Sequence, residues 1–152
     1  MTDALRLTRD LTMPFARPQW PAGVTEVPFS ATLAPRVHAL MRLAYGNGGG
    51  TVPADFDTWW ATTRHDPEFD ANLCIVAVTN GEPVGFALCW TSSFVKDLVV
   101  HPDWRQKGLG TALLLRACEL LAARGCNEVA LKVLADNMTA RRLYVRLGFR
   151  KD

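Results

Sequence analysis

No stretch of the 152-residue chain approaches the ~20 consecutive apolar positions that a membrane-crossing helix needs, so no membrane partner is expected. Cysteine is sparse and carries no paired motif. Cys74, Cys89, Cys118 and Cys126 include no C-x-x-C, and His38, His65 and His101 share no ligand spacing with them. No metal site is therefore expected, and the thiols read as reduced packing residues. The opening residues lack the apolar core of a secretory signal, which makes a cytoplasmic location the expectation. Internal repeats and low-complexity tracts are also missing.

What is present is an ordinary globular composition: 49% hydrophobic, 21% charged, net charge +2. That excludes disorder as the dominant state, and a chain this long buries roughly 68–70% of its unfolded surface as one domain. The charge is uneven. Residues 1–93 hold six Lys/Arg against nine Asp/Glu, whereas residues 94–152 hold eleven against six. A basic second half points to an anionic ligand there. Arg141, Arg142, Arg146, Arg150 and Lys151 raise the alternative of nucleic acid. They alternate with the apolar face of an amphipathic helix, however, so a solvated face is the stronger reading and no nucleic-acid partner is expected.

Periodicity predicts the elements. Leu5–Phe15 alternates as a strand, followed by an irregular connector through Gly23 and a short strand over Val24–Phe29. A helix begins near Thr32 or Pro35, with Val37, Leu40, Met41 and Ala44 on one stripe, and the Gly46–Gly50 run ends it as a loop. Ala54–Thr63 is predicted helical, with Phe56, Trp59 and Trp60 on one face. These aromatics and Trp90 are candidates for a cleft wall or simply for core. Strands over Leu73–Val78 and Val84–Trp90 are joined by a tight turn at Asn80-Gly81, and Val95–Val100 forms another. A helix over Gly108–Arg124, a strand over Val129–Leu134 and a helix from Asn137 to Gly148 complete the order. The class is α+β with a locally parallel strand pair. Residues 1–22 are expected to form an N-terminal strand and connector, and residues 23–152 a single domain.

Two segments carry chemistry. In Val99-Val100-His101-Pro102-Asp103-Trp104-Arg105-Gln106-Lys107-Gly108-Leu109-Gly110-Thr111, a strand ends, a basic loop comes next and two glycines open a helix. Unsatisfied amides of the first turn, the helix dipole and the cations Arg105 and Lys107 together make a cradle for a diphosphate. A dinucleotide fingerprint would need a third glycine where Leu113 stands, and no Gly-Lys-Ser/Thr is present. Further along, Asn137-x-x-Ala140-x-x-x-Tyr144 precedes Leu147-Gly148-Phe149. At helical spacing Asn137 and Tyr144 are two turns apart on one face and border one cleft.

Arg105-x-x-Gly108-x-Gly110 resembles motif A of the GNAT superfamily of N-acetyltransferases, and the Asn137–Tyr144 segment resembles its motif B. The likeness covers about residues 73–149. Within the superfamily, Leu5–Leu11, Trp20-Pro21-x-Gly23 and Asp66–Asp70 are similar to mycothiol-synthase-like domains. The resemblance implies a mixed, mostly antiparallel sheet whose central parallel strands splay apart, flanked by about four helices. Acetyl-CoA is the implied cosubstrate. Its arm would lie along Leu98, Val99 and Val100, its pyrophosphate on the segment Arg105, Gln106, Lys107, Gly108, Leu109, Gly110 and Thr111, with Asn137 and Ala140 beside it. A primary amine, of a small molecule or a peptide, would attack directly, and Tyr144 would protonate the departing thiolate.

This chain departs from that likeness in two places. The family's usual carboxylate position holds Phe94, which leaves Asp97, Glu68, Asp70 and His65 as candidate bases, Asp97 being the one on the same strand. The chain also stops just after Leu147-Gly148-Phe149, so the family's last strands are reduced and the N-terminal strand is expected to fill the vacancy, within its own subunit or across a homodimer. The alternative function is a non-catalytic GNAT-fold module that binds CoA as a sensor.

Overall fold

A computed structural model describes residues 3–46 and 51–152. Seven strands form one sheet: β1 (Ala4–Asp10), β2 (Thr25–Pro28), β3 (Cys74–Thr79), β4 (Glu82–Trp90), β5 (Phe94–Val100), β6 (Glu128–Leu134) and β7 (Arg150–Lys151). Four helices accompany them: α1 (Ala34–Tyr45), α2 (Phe56–Arg64), α3 (Leu109–Ala123) and α4 (Met138–Arg146). The strand order is β2-β3-β4-β5-β6-β1-β7. Every neighbouring pair is antiparallel except β5–β6, whose parallel run requires the α3 crossover. The glycine loop expected over Gly46–Gly50 falls, from residue 47 onward, outside the described residues.

Each face of the sheet buries one cluster. Alternate residues of β4, β5 and β6 pack with Leu109, Leu113, Leu114 and Leu121 of α3 and with Tyr144 of α4. On the other face, Val37, Leu40 and Met41 of α1 and Trp59 of α2 cover Val76, Phe86 and Leu88. Helix α3 sits unusually close to the sheet at Gly85, where a β-carbon would lie 2.9 Å from Leu113 Cδ1 and 3.1 Å from Leu109 Cδ2. The absence of that carbon fixes how near the start of α3 comes to the strands.

The N-terminal strand lies beside β6, as expected, and it does so within the same chain. All seven residues of β1 pair with β6, from Ala4↔Leu134 to Asp10↔Glu128, and its outer edge meets only the two-residue β7. The strand ends at Asp10, well short of Phe15. There the Asp10 carboxylate accepts from the Thr12 amide and hydroxyl, turning the chain. The Arg9 guanidinium then donates to the carbonyls of Asp10, Met13 and Pro14 and sits over the Phe15 ring, so residues 11–15 wrap around a side chain instead of extending the ladder.

Two bulges shape the centre of the sheet. Ala77 pairs with Gly85 and Val78 with Pro83, which leaves Val84 as an extra residue of β4. Leu88 pairs with Asp97 and Cys89 with Val95, which makes Lys96 the extra residue of β5. A bulge shifts the alternation by one position. Val95 accordingly belongs to the cluster under α3, whereas Val99, four residues on, belongs to the cluster under α1.

Candidate active site

The parallel ladder between β5 and β6 is very short. Phe94 pairs with Ala130 and Val95 with Leu131, and no pairing continues beyond them. It stops at the residue before the Lys96 bulge, and bulged strands bend away from their partners. From there to Val100, β5 keeps its ladder to β4 through Leu98↔Ala87, Val99↔Phe86 and Val100↔Gly85, while its other edge has no strand against it. Leu98, Val99 and Val100 therefore border a parting between two strands.

The basic loop and the start of α3 lie at the end of that parting. Pro102–Trp104 makes one 3-10 turn, capped by the His101 ring accepting from the Asp103 amide at 3.0 Å. Gln106 then takes φ +62°, and Gly108 takes φ +84° at the helix N-cap, a conformation that glycine adopts without penalty. A β-carbon at Gly108 would meet nothing within 4 Å, so this backbone faces open space. The first helical bond runs from the Ala112 amide to Gly108 O, leaving the amides of Leu109, Gly110 and Thr111 without partners one turn back. Positive potential gathers here, since Arg146 donates to Thr111 Oγ1 and Lys107 lies 5.1 Å over the Trp104 ring. Arg105 reaches the Ala44 carbonyl at the end of α1.

Helix α4 closes the other side. A β-carbon on Gly110 would sit 3.5 Å from Leu143 Cδ2 and 3.8 Å from Val100 Cγ2, so α3, α4 and the end of β5 converge at that glycine. Asn137 caps α4 by accepting from the Ala140 amide, which occupies its carbonyl oxygen and leaves its NH2 group for another partner. Tyr144 is buried and packs on Phe149, with ring centroids 6.0 Å apart. Its hydroxyl has no hydrogen-bond partner among the described residues. No buried side-chain polar atom there goes unpaired, so the hydroxyl reaches accessible space. Burial pushes its pKa up to about 12, which keeps the phenol protonated at neutral pH.

Across the sheet, Asp97 is only 6% exposed and faces α1, where the Tyr45 hydroxyl donates to its Oδ1 at 2.8 Å. Burial dominates and raises the Asp97 pKa, against the opposing pull of Lys96 and of the Tyr45 hydrogen bond. Tyr45 is itself strongly raised by burial and by the carboxylate. It also lies near enough to Tyr144 that ionising one disfavours ionising the other. Asp97 lines a cavity of about 190 Å³, whose walls are Met41, Val52, Pro53, Trp59, Leu88 and Trp90. Its polar edge holds Thr62, Thr63, Asp66 and Lys96. The wall at Pro53 is fixed by His38, whose Nε2–H donates to the Pro53 carbonyl at 2.7 Å while the ring stacks on Trp59.

The other candidate bases are held elsewhere. Asp70 caps the 3-10 turn before β3 and pairs with Arg124, which hold its pKa low. Glu68 accepts from the Ser92 amide, and His65 is the exposed C-cap of α2. Phe94 opens β5 opposite Trp90.

A protein-family model described as Acetyltransferase (GNAT) family matches residues 35–149. The chain belongs to the GNAT acetyltransferase family. Its relatives include a mycothiol acetyltransferase of Clavibacter sepedonicus, 37% identical over 140 residues, which covers 87% of this chain but 44% of that protein. Among solved structures, a GCN5-related N-acetyltransferase from Sphaerobacter thermophilus superposes with TM-score 0.86 at 28% identity, covering 99% of this chain and 49% of that one. A diaminobutyrate acetyltransferase from Paenibacillus lautus, solved with its substrate and coenzyme A, shares the fold at TM-score 0.65 and 22% identity, with 81% of this chain and 73% of that one covered. The chain thus spans less than half the length of the curated relatives it matches. The GNAT family match starts inside α1 and leaves β1 and β2 outside it.

Four residues around this candidate site escape sequence reasoning. Tyr45 ends α1 and shows nothing in sequence that ties it to Asp97, 52 positions away. Lys96 reads as an ordinary strand residue, although the sequence Phe94-Val95-Lys96-Asp97-Leu98-Val99-Val100 breaks strict alternation and so carried a signal. Val52 and Pro53 lie in an irregular stretch positioned by the His38 contact to Pro53 and by the packing of Val52 on the cluster under α1.

Proposed function

We propose that this domain transfers the acetyl group of acetyl-CoA to a primary amine by direct attack in a ternary complex. The observation that carries this reading is the parting of β5 from β6 after Val95/Leu131, which ends on the open, positively polarised start of α3. An extended acyl-pantetheine arm needs a strand edge to bond to, and a pyrophosphate needs free amides at a helix N-terminus. Leu98, Val99 and Val100 supply the first, and the segment from Arg105 to Thr111 supplies the second. Asn137 and Ala140 flank the same opening. When bound, acetyl-CoA supplies an activated thioester carbon.

The chain's own groups supply the proton transfers. Asp97 is the base: burial makes its carboxylate a stronger proton acceptor, and it takes the proton of the incoming ammonium group. The amine nitrogen forms its bond to the carbonyl carbon, a main-chain amide near Val99 stabilises the developing oxyanion, and the carbon–sulfur bond breaks. Tyr144 donates its phenolic proton to the leaving thiolate and is reprotonated through solvent, while the second proton of the amine nitrogen is lost to solvent as the neutral amide forms. No acyl-enzyme is formed.

The test pairs calorimetry with thiol release. Acetyl-CoA is expected to bind the full chain, and free thiol is expected to appear with at least one amine in a panel. Absence of acetyl-CoA binding refutes the reading. Binding without thiol release on any amine replaces it with a CoA-binding sensor.

A further inference from the structure

The cavity on the α1–α2 face has a size, a charge and a wall chemistry that together define an occupant. Its volume of about 190 Å³ compares with the ~150 Å³ of an apolar protein cavity that accommodates benzene, which leaves room for a benzene-sized body and two or three further atoms. Tyr45 holds only one oxygen of Asp97. The other, Oδ2, has no hydrogen-bond partner among the described residues, and the carboxylate lines the cavity. Because no buried polar atom there is left unpaired, Oδ2 opens onto that space. A nearly buried anion with one open oxygen calls for a cationic donor. Asp66 adds a second carboxylate at the edge, while Lys96, the single basic residue of the lining, is solvent-exposed. Apart from the hydroxyls of Thr51, Thr62 and Thr63, the remaining walls are Trp59, Trp90, Met41, Val52, Pro53 and Leu88, against which an additional charge would be desolvated without compensation.

We propose that this cavity is the acceptor pocket and that it takes a compact primary amine, singly charged, with an alkyl or aryl body and about eight or nine non-hydrogen atoms in all. The proposal rests on the acetyl-transfer reading for the turnover of the bound amine, but not for its binding. The ammonium group seats on Asp97, two residues past the end of the β5–β6 ladder, and the apolar body lies between Trp59 and Trp90. Polyamines, aminoglycosides and peptide chains exceed the pocket in length or in charge.

Phenethylamine is the probe. Tryptophan fluorescence of the full chain reports its binding, because two tryptophans line the cavity, and thiol release from acetyl-CoA reports its turnover. Phenethylamine is expected to bind and to be acetylated with a kcat/KM at least 100-fold above spermidine, kanamycin or an alanyl tripeptide. Thr62→Trp, placed on an exposed position of α2 that borders the cavity, is expected to weaken phenethylamine binding at least 30-fold and leave acetyl-CoA binding unchanged. Trp90→Ala is expected to widen the preference toward bulkier aryl amines. Binding of spermidine, kanamycin or the tripeptide as tight as that of phenethylamine overturns the proposal. So does phenethylamine binding unaltered by Thr62→Trp, or turnover confined to a larger amine. Phenethylamine binding that responds to Thr62→Trp in a chain that fails to bind acetyl-CoA upholds the pocket and refutes the transfer.

Discussion

Replacing Asp97 with asparagine separates stability from activity in a way that few other substitutions here would. The carboxylate is 6% exposed and its pKa lies above the ordinary 3.8, burial being the main cause. A folded-state pKa above the unfolded one means that the native protein binds the proton more tightly. The stability contributed by that proton is complete below the unfolded value and is lost as pH rises through the folded one. At neutral pH the ionised Asp97 therefore costs stability. Around it stand Tyr45 from α1, Lys96 from its own strand, Cys74 from β3 and Asp66 across the cavity. Asparagine keeps an oxygen for the Tyr45 hydroxyl and removes the charge, so Asp97→Asn should stabilise the fold at pH 7 by about 1–3 kcal/mol, the range for relieving a desolvated, half-satisfied polar group. The gain should shrink as pH falls and the wild-type aspartate takes up its own proton. Urea denaturation monitored by tryptophan fluorescence at several pH values measures both. Acetyl transfer should fall by at least 100-fold in the same variant. A variant destabilised equally at pH 4.5 and pH 8 would show that Asp97 is an ordinary packing residue and would refute the reasoning.

Three further outcomes are expected. Tyr144→Phe should lower kcat about 100-fold through loss of the proton donor while acetyl-CoA affinity in calorimetry changes less than twofold; an unchanged kcat assigns the proton to another donor. Gly85→Ala forces a β-carbon to 2.9 Å from Leu113 and 3.1 Å from Leu109, both essentially unexposed and unable to retreat, so urea unfolding should register a loss of about 1–3 kcal/mol. A loss under about 0.5 kcal/mol would mean that α3 can lift off the sheet. Deleting Lys96 should leave a folded domain whose acetyl-CoA affinity is at least tenfold weaker, and undiminished binding would show that the bulge is not what opens the strands.

Legibility tracks the range of the interactions. The turn at Asn80-Gly81, the helix start at Gly108 and the helix start at Asn137 are each decided by residues within a few positions, and the sequence patterns found them all. The span of α3 was equally plain, because its helical pattern runs unbroken from the glycine pair to Gly125. The end of β1 was not. Leu11, Met13 and Phe15 continue the alternation, but Arg9 collects three carbonyls from residues 10–14 and lifts that segment away. The cavity was legible only in fragments, since its walls come from α1, residues 51–53, α2, β4 and β5, and nothing local ties these together. Asp97 could be named as a candidate base, yet its pairing with Tyr45 depends on how β5 is bulged against β4.

That bulge links the two halves of the site. With unbroken alternation, Val95, Asp97 and Val99 would share one face of the sheet, the face under α3 to which Val95 belongs. The extra residue at Lys96 resets the count, so Asp97 and Val99 turn toward α1 and the cavity, while Leu98 and Val100 turn toward α3. The ladder to β6 ends at the residue before it. One inserted position therefore does two things: it carries a carboxylate to the side where Tyr45 and the cavity lie, and it bends β5 away from β6 to open a strand edge. Phe94 alternates with Val95 and pairs with Trp90, so it too turns toward the α1–α2 face, but it lies on the near side of the bulge, where β6 is still paired to β5. Asp97 lies on that same face but past the bulge, beside the edge of β5 that β6 has left, and there α1 supplies the Tyr45 hydroxyl as its hydrogen-bond donor.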